Sequence, residues 1–187
     1  LLGLVSMFLY NDVLKDYQRK RIEAFLNPAQ NTQDIGFNVN QARIAVGSGQ
    51  ILGKGFGNGT QSKRDFLPEH QTDFIFASFA EEFGLVGSLF LLTLYGIIII
   101  HILMVAISSG DTFSSMILVG MAMKILFEVF INIGTNLGVI PATGIPLPLM
   151  SAGGTITIMT LLSLGIVQSI INRKDTYKSV NNIIDNY

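Results

Sequence analysis

The chain has 187 residues, of which 13% are charged and 49% apolar, and its formal net charge is −1. The charged share is about half that of soluble domains. Together with a mean hydropathy of +0.50, it points to a single-domain membrane protein and against a strongly basic nucleic-acid binder. Cysteine is absent, which excludes a disulfide framework and any thiolate metal site.

Residues 1–10 are largely apolar but too few to span a bilayer, which needs about 20. They read as the end of a truncated span rather than a signal peptide, because a basic n-region and a small-residue cleavage site are missing. A polar loop over residues 11–71 follows. Its first part, Asp12 to Leu26, mixes Lys15, Arg19, Lys20 and Arg21 with Tyr17, Ile22, Phe25 and Leu26. This pattern suits an interfacial amphipathic helix on anionic membrane lipids and a solvated charged helix start equally well. Asn27-Pro28 closes it.

The glycine-rich run Gly47 to Gly59 contains Lys54 but is no nucleotide loop. A P-loop would need Gly at Ser48 and Ser/Thr at Gly55, and a dinucleotide fingerprint would need Gly at Leu52. A flexible, turn-rich loop is the reading composition favours. Freed backbone N–H groups able to cradle a phosphate are the alternative.

Residues 72–107 form the first complete span, free of charge from Phe83 to Ile100. Such a helix overshoots the bilayer and must tilt or project into water. Thr72 or Asp73 is the expected N-cap, supplying an oxygen to free N–H groups. Glu81 and Glu82 fall inside this span, where ionisable residues usually face an interior or cavity. At about 100° per residue, Glu81 lies roughly 80° around the helix from Asp73 and Glu82 roughly 180°. Glu81 is therefore the one able to share the side of Asp73. His101, near the far end, reads as interfacial.

A polar turn, Ser108 to Asp111, leads to a second span over 112–134. Lys124, Glu128, Asn132 and Asn136 recur there every fourth residue as one polar stripe that is poorly suited to lipid. Lys124 and Glu128 are expected to form an internal, structural ion pair. Residues 135–151 hold three prolines and are too apolar for a solvated loop. They read as a re-entrant-like segment of irregular backbone, tolerated where buried or lining a cavity. Residues 152–171 form the third span and 172–187 a polar, partly frayed tail. The expected fold is an all-α polytopic membrane protein with three complete transmembrane helices. Loop charge leaves its orientation open, since the orientation rule fails for loops of this length.

Three segments carry a family resemblance. They are Asn40-Gln41 to Gly53-Lys54-Gly55 with Gly59-Thr60-Gln61; Phe66-Leu67-Pro68-Glu69-His70-Gln71-Thr72-Asp73 with Ala80-Glu81-Glu82-Phe83-Gly84; and Asn132-Ile133-Gly134 to Ser151-Ala152-Gly153-Gly154. In order and spacing they resemble the C-terminal half of the SEDS family (shape, elongation, division and sporulation), over nearly the whole chain. The Gly-Thr-Gln and Phe-Leu-Pro-Glu segments are more similar to its RodA, or elongation, branch than to its FtsW branch. Gln71 and Ala152 stand where that family usually has histidine and tyrosine.

The resemblance implies a multi-pass enzyme of the bacterial inner (cell) membrane that polymerises lipid II into glycan strands, for elongation and rod shape. Its implied partner is a class B penicillin-binding protein transpeptidase. The long loop would lie outside the cytoplasm and the tail inside. Asp73 would be the catalytic general base at the outer membrane face, giving an inverting glycosyl transfer. The pyrophosphate leaving group calls for positive charge or a divalent cation, Mg or Mn. Lys54, Lys63, Arg64 and the glycine-rich N–H groups are the candidates for binding it. Glu69, His70, Glu81, Glu82 and Ser151 are further substrate-binding candidates, with the Gly144–Gly154 loop shaping the cavity from across. A flippase for the lipid-linked precursor, or a non-catalytic scaffold for the transpeptidase, are the alternatives.

Overall fold

The computed structural model describes residues 15–26, 35–59 and 72–184. Their regular structure is five helices: α1 (Asp16–Leu26), α2 (Ile35–Gly49), α3 (Ile75–Ile107), α4 (Thr112–Asn136) and α5 (Gly154–Ile184). Three are long and apolar enough to cross a membrane: α3, α4 and the Gly154–Arg173 part of α5. The end of the truncated span expected at residues 1–10 lies outside the described residues.

The α3–α4 hairpin is the frame. Tyr95, Ile102 and Ala106 of α3 are buried with Leu118, Ala122, Ile125 and Val129 of α4. Spacings of three and four keep each set on one helix face, which is the seam of an antiparallel pair. Larger apolar side chains such as Phe90, Ile97 and Phe130 point outward, as a lipid-facing surface requires. Asp111 stops the hairpin from unravelling at its turn: its carboxylate accepts from the N–H groups of Phe113 and Ser114 and caps α4.

α3 is not one continuous helix. Its 33 residues would extend about 50 Å at 1.5 Å per residue, against a hydrocarbon core of about 30 Å. It breaks at Gly84, with φ 66° and ψ −162°, a conformation only glycine adopts easily. The loop after α2 lies in the break. Lys54 N–H donates to the Glu81 carbonyl at 3.0 Å and Gly55 N–H to that of Glu82 at 3.0 Å. Leu85 and Val86 N–H groups donate in turn to Gln50 and Ile51, at 2.9 and 3.1 Å. A Cβ on Gly84 would stand 2.3 Å from the Gly53 nitrogen, so glycine alone permits this approach. The loop thus supplies partners to two carbonyls and two N–H groups that the break frees, as a site near lipid demands.

Two features depart from the sequence-based reading. The stretch expected as loop contains α2, whose Ala42 and Ala45 are fully buried against Phe74 and Ala77. Small side chains let the two backbones approach closely, yet they give only a weak hydropathy signal. The polar tail also stays helical to Ile184, and no Gly or Pro interrupts it after Gly165.

Candidate active site

The site forms where α3 begins. Asp73 precedes the helix, and the N-cap is Phe74, with no side-chain cap hydrogen bond. The expected cap by Thr72 or Asp73 is therefore corrected. The residue that serves the first turn comes from α4: Ala77 N–H donates to Asn136 Oδ1 at 3.0 Å. Asn136 Nδ2 donates to the Asp73 carbonyl at 3.0 Å, and Asn132 Nδ2 reaches the same carbonyl at 3.0 Å. Asn132 Nδ2 also donates to the Ile145 carbonyl at 2.9 Å. One residue earlier, Ser151 Oγ donates to the Thr72 carbonyl at 2.7 Å and accepts from Leu147 N–H at 2.8 Å. α4 and the segment after it thus hold the Thr72–Asp73 backbone on both sides.

The Asp73 side chain opens onto a cavity of about 170 Å³, walled by Arg21, Asn38, Phe74, Thr135, Ala142 and Gly144. Gly144 lies beside both charged side chains. A Cβ there would stand 3.5 Å from Arg21 Nη2 and 3.6 Å from Asp73 Oδ2. Those are ordinary contact distances, so the need for glycine comes from its φ of 76°. Arg21 is fixed by a hydrogen bond from Nη1 to the Ala142 carbonyl at 2.9 Å. One cation and one carboxylate, from parts of the chain 52 positions apart, converge on the same backbone. Such an arrangement suits a ligand with both an anionic group and a hydroxyl to be deprotonated.

In the sequence Arg21 stands out only as part of a basic run. Its signal lay in the sequence, as a cation on a helix start with apolar neighbours, but nothing local says that α1 folds back toward residue 142. The other candidates sit elsewhere. Lys54 Nζ pairs with Glu81 Oε1 at 2.7 Å, and Glu81 is fully buried. The Ser48 hydroxyl lies 3.5 Å from the same oxygen. Glu81, Glu82 and Lys54 are not among the cavity walls; the first and last instead pin the glycine-rich loop to α3. The N–H groups of Gly53, Lys54 and Gly55 all bond backbone carbonyls, so they cradle no phosphate in this arrangement. Lys63, Arg64, Glu69 and His70 lie outside the described residues.

Lys124 and Glu128 approach to 2.9 Å, about 12–18 Å along α4 from Asn136. That places the pair well below the cavity. Among the described residues, no three His, Asp or Glu side chains gather as a metal ion requires. Asp73 faces a guanidinium, so the described walls fit an anion better than a divalent cation.

Comparison with known proteins agrees with the motifs. The profile of the FtsW, RodA and SpoVE family, described as cell cycle protein, matches residues 1–176. Peptidoglycan glycosyltransferase MrdB of Escherichia coli (strain K12) is 44% identical over 95% of this chain and 49% of its own. Peptidoglycan glycosyltransferase RodA of Treponema pallidum (strain Nichols) is 37% identical over 92% of this chain and 41% of its own. A chain from a solved structure, on the structural coordination of polymerization and crosslinking by a peptidoglycan synthase complex, aligns with a TM-score of 0.68. That match has 31% identity and covers 94% of this chain and 48% of the other. The chain thus spans about half the length of the relatives it matches. On this match the chain belongs to the FtsW, RodA and SpoVE family of cell cycle proteins.

Proposed function

We propose that the full-length protein is an inverting peptidoglycan glycosyltransferase that polymerises lipid II into glycan strands for cell elongation. The observation that carries this reading is the convergence of Asp73 and Arg21 on Gly144, at the start of a membrane-spanning helix. Asp73 takes the proton from the acceptor sugar's hydroxyl as its oxygen forms a bond to the donor's anomeric carbon. The bond from that carbon to the lipid pyrophosphate breaks on the opposite face, and configuration inverts. Among the described residues Arg21, rather than Lys54, is the cation on the cavity wall, and it meets the developing phosphate charge.

The cavity of about 170 Å³ is smaller than the roughly 300–1,000 Å³ usual for ligand sites. It serves as one corner of a larger site completed by the rest of the protein. A class B penicillin-binding protein transpeptidase is the proposed partner, supported by the peptidoglycan synthase complex to which the chain is structurally similar. The proposed setting is the bacterial inner membrane, with Asp73 on the extracytoplasmic side.

The test is polymerisation of purified lipid II by the full-length protein with its transpeptidase, wild type against Asp73→Ala. Loss of polymer in the variant is expected, and undiminished polymer would contradict the assignment. Translocation of lipid II in sealed vesicles without polymer would favour a flippase instead.

A further inference from the structure

The polar stripe on α4 is the strongest feature that the proposed reaction leaves unused. Asn132 and Asn136 are 1% and 0% exposed, and each donates to the Asp73 carbonyl at 3.0 Å. In a regular helix the carbonyl of residue 73 would accept from the N–H of residue 77. Here the Asn136 carboxamide is inserted between the two, donating to Asp73 and accepting from Ala77 at 3.0 Å. Ala77 N–H reaches back to the Phe74 carbonyl at 3.1 Å as well. Asn136 is itself braced by a second donation, to the Asn132 carbonyl at 2.8 Å.

This insertion has a directional consequence. An aspartate at a helix start ordinarily turns its carboxylate onto the second or third N–H of the helix. At α3 Phe74 holds the N-cap position, Asn136 serves the third N–H, that of Ala77, and both asparagines clamp the Asp73 carbonyl. Asp73 lies one residue before the cap, its main chain held at the carbonyl and its Oδ2 toward Gly144. Ser151 holds the preceding carbonyl, of Thr72, from the other side.

We infer that Asn136, supported by Asn132, is a positioning residue that fixes the Asp73 main chain through its carbonyl and so sets the direction of its side chain into the cavity. The inference rests on the reading of Asp73 as general base. Neither asparagine touches the cavity, so their effect falls on the rate of the chemical step and leaves ligand binding alone.

The experiment uses the full-length protein with its transpeptidase and purified lipid II, and measures kcat and KM for Asp73→Ala, Asn136→Ala and Asn132→Ala. Size-exclusion and thermal unfolding in detergent check that each variant is folded. For Asn136→Ala, kcat is expected to fall at least ten-fold (order of magnitude for a misplaced catalytic group) with KM within about two-fold. Asn132→Ala, which leaves the bridge to Ala77 intact, is expected to give a smaller loss of the same kind. A folded Asn136→Ala with unchanged kcat would overturn the inference, as would a rise in KM alone. Failure of both asparagine variants to fold would also overturn it, since their role would then be holding the bundle together. Activity persisting in Asp73→Ala would sink the general-base reading itself. Loss in Asp73→Ala beside wild-type kcat in Asn136→Ala would sink only the inference.

Discussion

α4 and α3 each begin beside an aspartate, Asp111 and Asp73, under opposite arrangements. Asp111 accepts from the N–H groups of Phe113 and Ser114 at 3.3 and 3.1 Å and from the Ser114 hydroxyl at 2.7 Å. The Ser114 hydroxyl, then its N–H, hold the Asp111 carboxyl below its ordinary range. At α3 the cap position passes to Phe74 and the first-turn N–H of Ala77 to Asn136, while Asp73 Oδ2 faces Gly144 and Arg21 across a cavity. A carboxylate at a helix start is thus a fold element in one place and a candidate reagent in the other. The neighbouring helix makes the difference.

Variants can break or sharpen that contrast. The largest effect is expected from Arg21→Ala, which removes the cation facing Asp73. Polymerisation by the full-length protein should fall by about 10²-fold, or roughly 3 kcal/mol in the transition state, as for a lost charge-stabilising donor. Arg21→Lys should recover only part of this, because lysine lacks the planar fork that also holds Ala142.

Next comes Lys54→Ala, which leaves the fully buried Glu81 without its cation. Unfolding in detergent should show a loss of about 3 kcal/mol, the low end for a broken buried pair because Lys54 is partly exposed. Replacing both partners with apolar residues of similar volume should restore most of it. Gly144→Ala should cost about 1–2 kcal/mol for its left-handed backbone.

Asp111→Asn should have the smallest effect, on stability alone. Because the folded carboxyl titrates below its unfolded value, its contribution is complete above the unfolded pKa and disappears as pH falls through the folded one. A stability difference between wild type and Asp111→Asn should therefore be present at pH 7 and vanish in strong acid.

Much of this was legible in the sequence. Charge-free runs located the first and third spans, and the second showed itself as an apolar run whose Lys124, Glu128, Asn132 and Asn136 recur every fourth residue as one polar stripe. Family resemblance selected Asp73, where capping preference favoured a structural role. What stayed hidden depends on contacts between distant segments. The helix α2 escaped because alanine and glycine make its packing face. The break at Gly84 needs the partner loop at Gln50 to Gly55 to be intelligible. Arg21 enters the site only because α1 returns to Ala142, and Asn136 caps α3 from 59 positions away. No local window contains either relation.

The most direct measurement compares Asp73→Asn and Asp111→Asn in one assay, lipid II polymerisation by the full-length protein with its transpeptidase. Both substitutions remove a charge at a helix start and keep the side chain's shape. Asp73→Asn is expected to lose at least about 10²-fold in rate, the scale of a missing general base, while Asp111→Asn polymerises at the wild-type rate. Equal rates for the two variants, or full polymerisation by Asp73→Asn, would contradict the account.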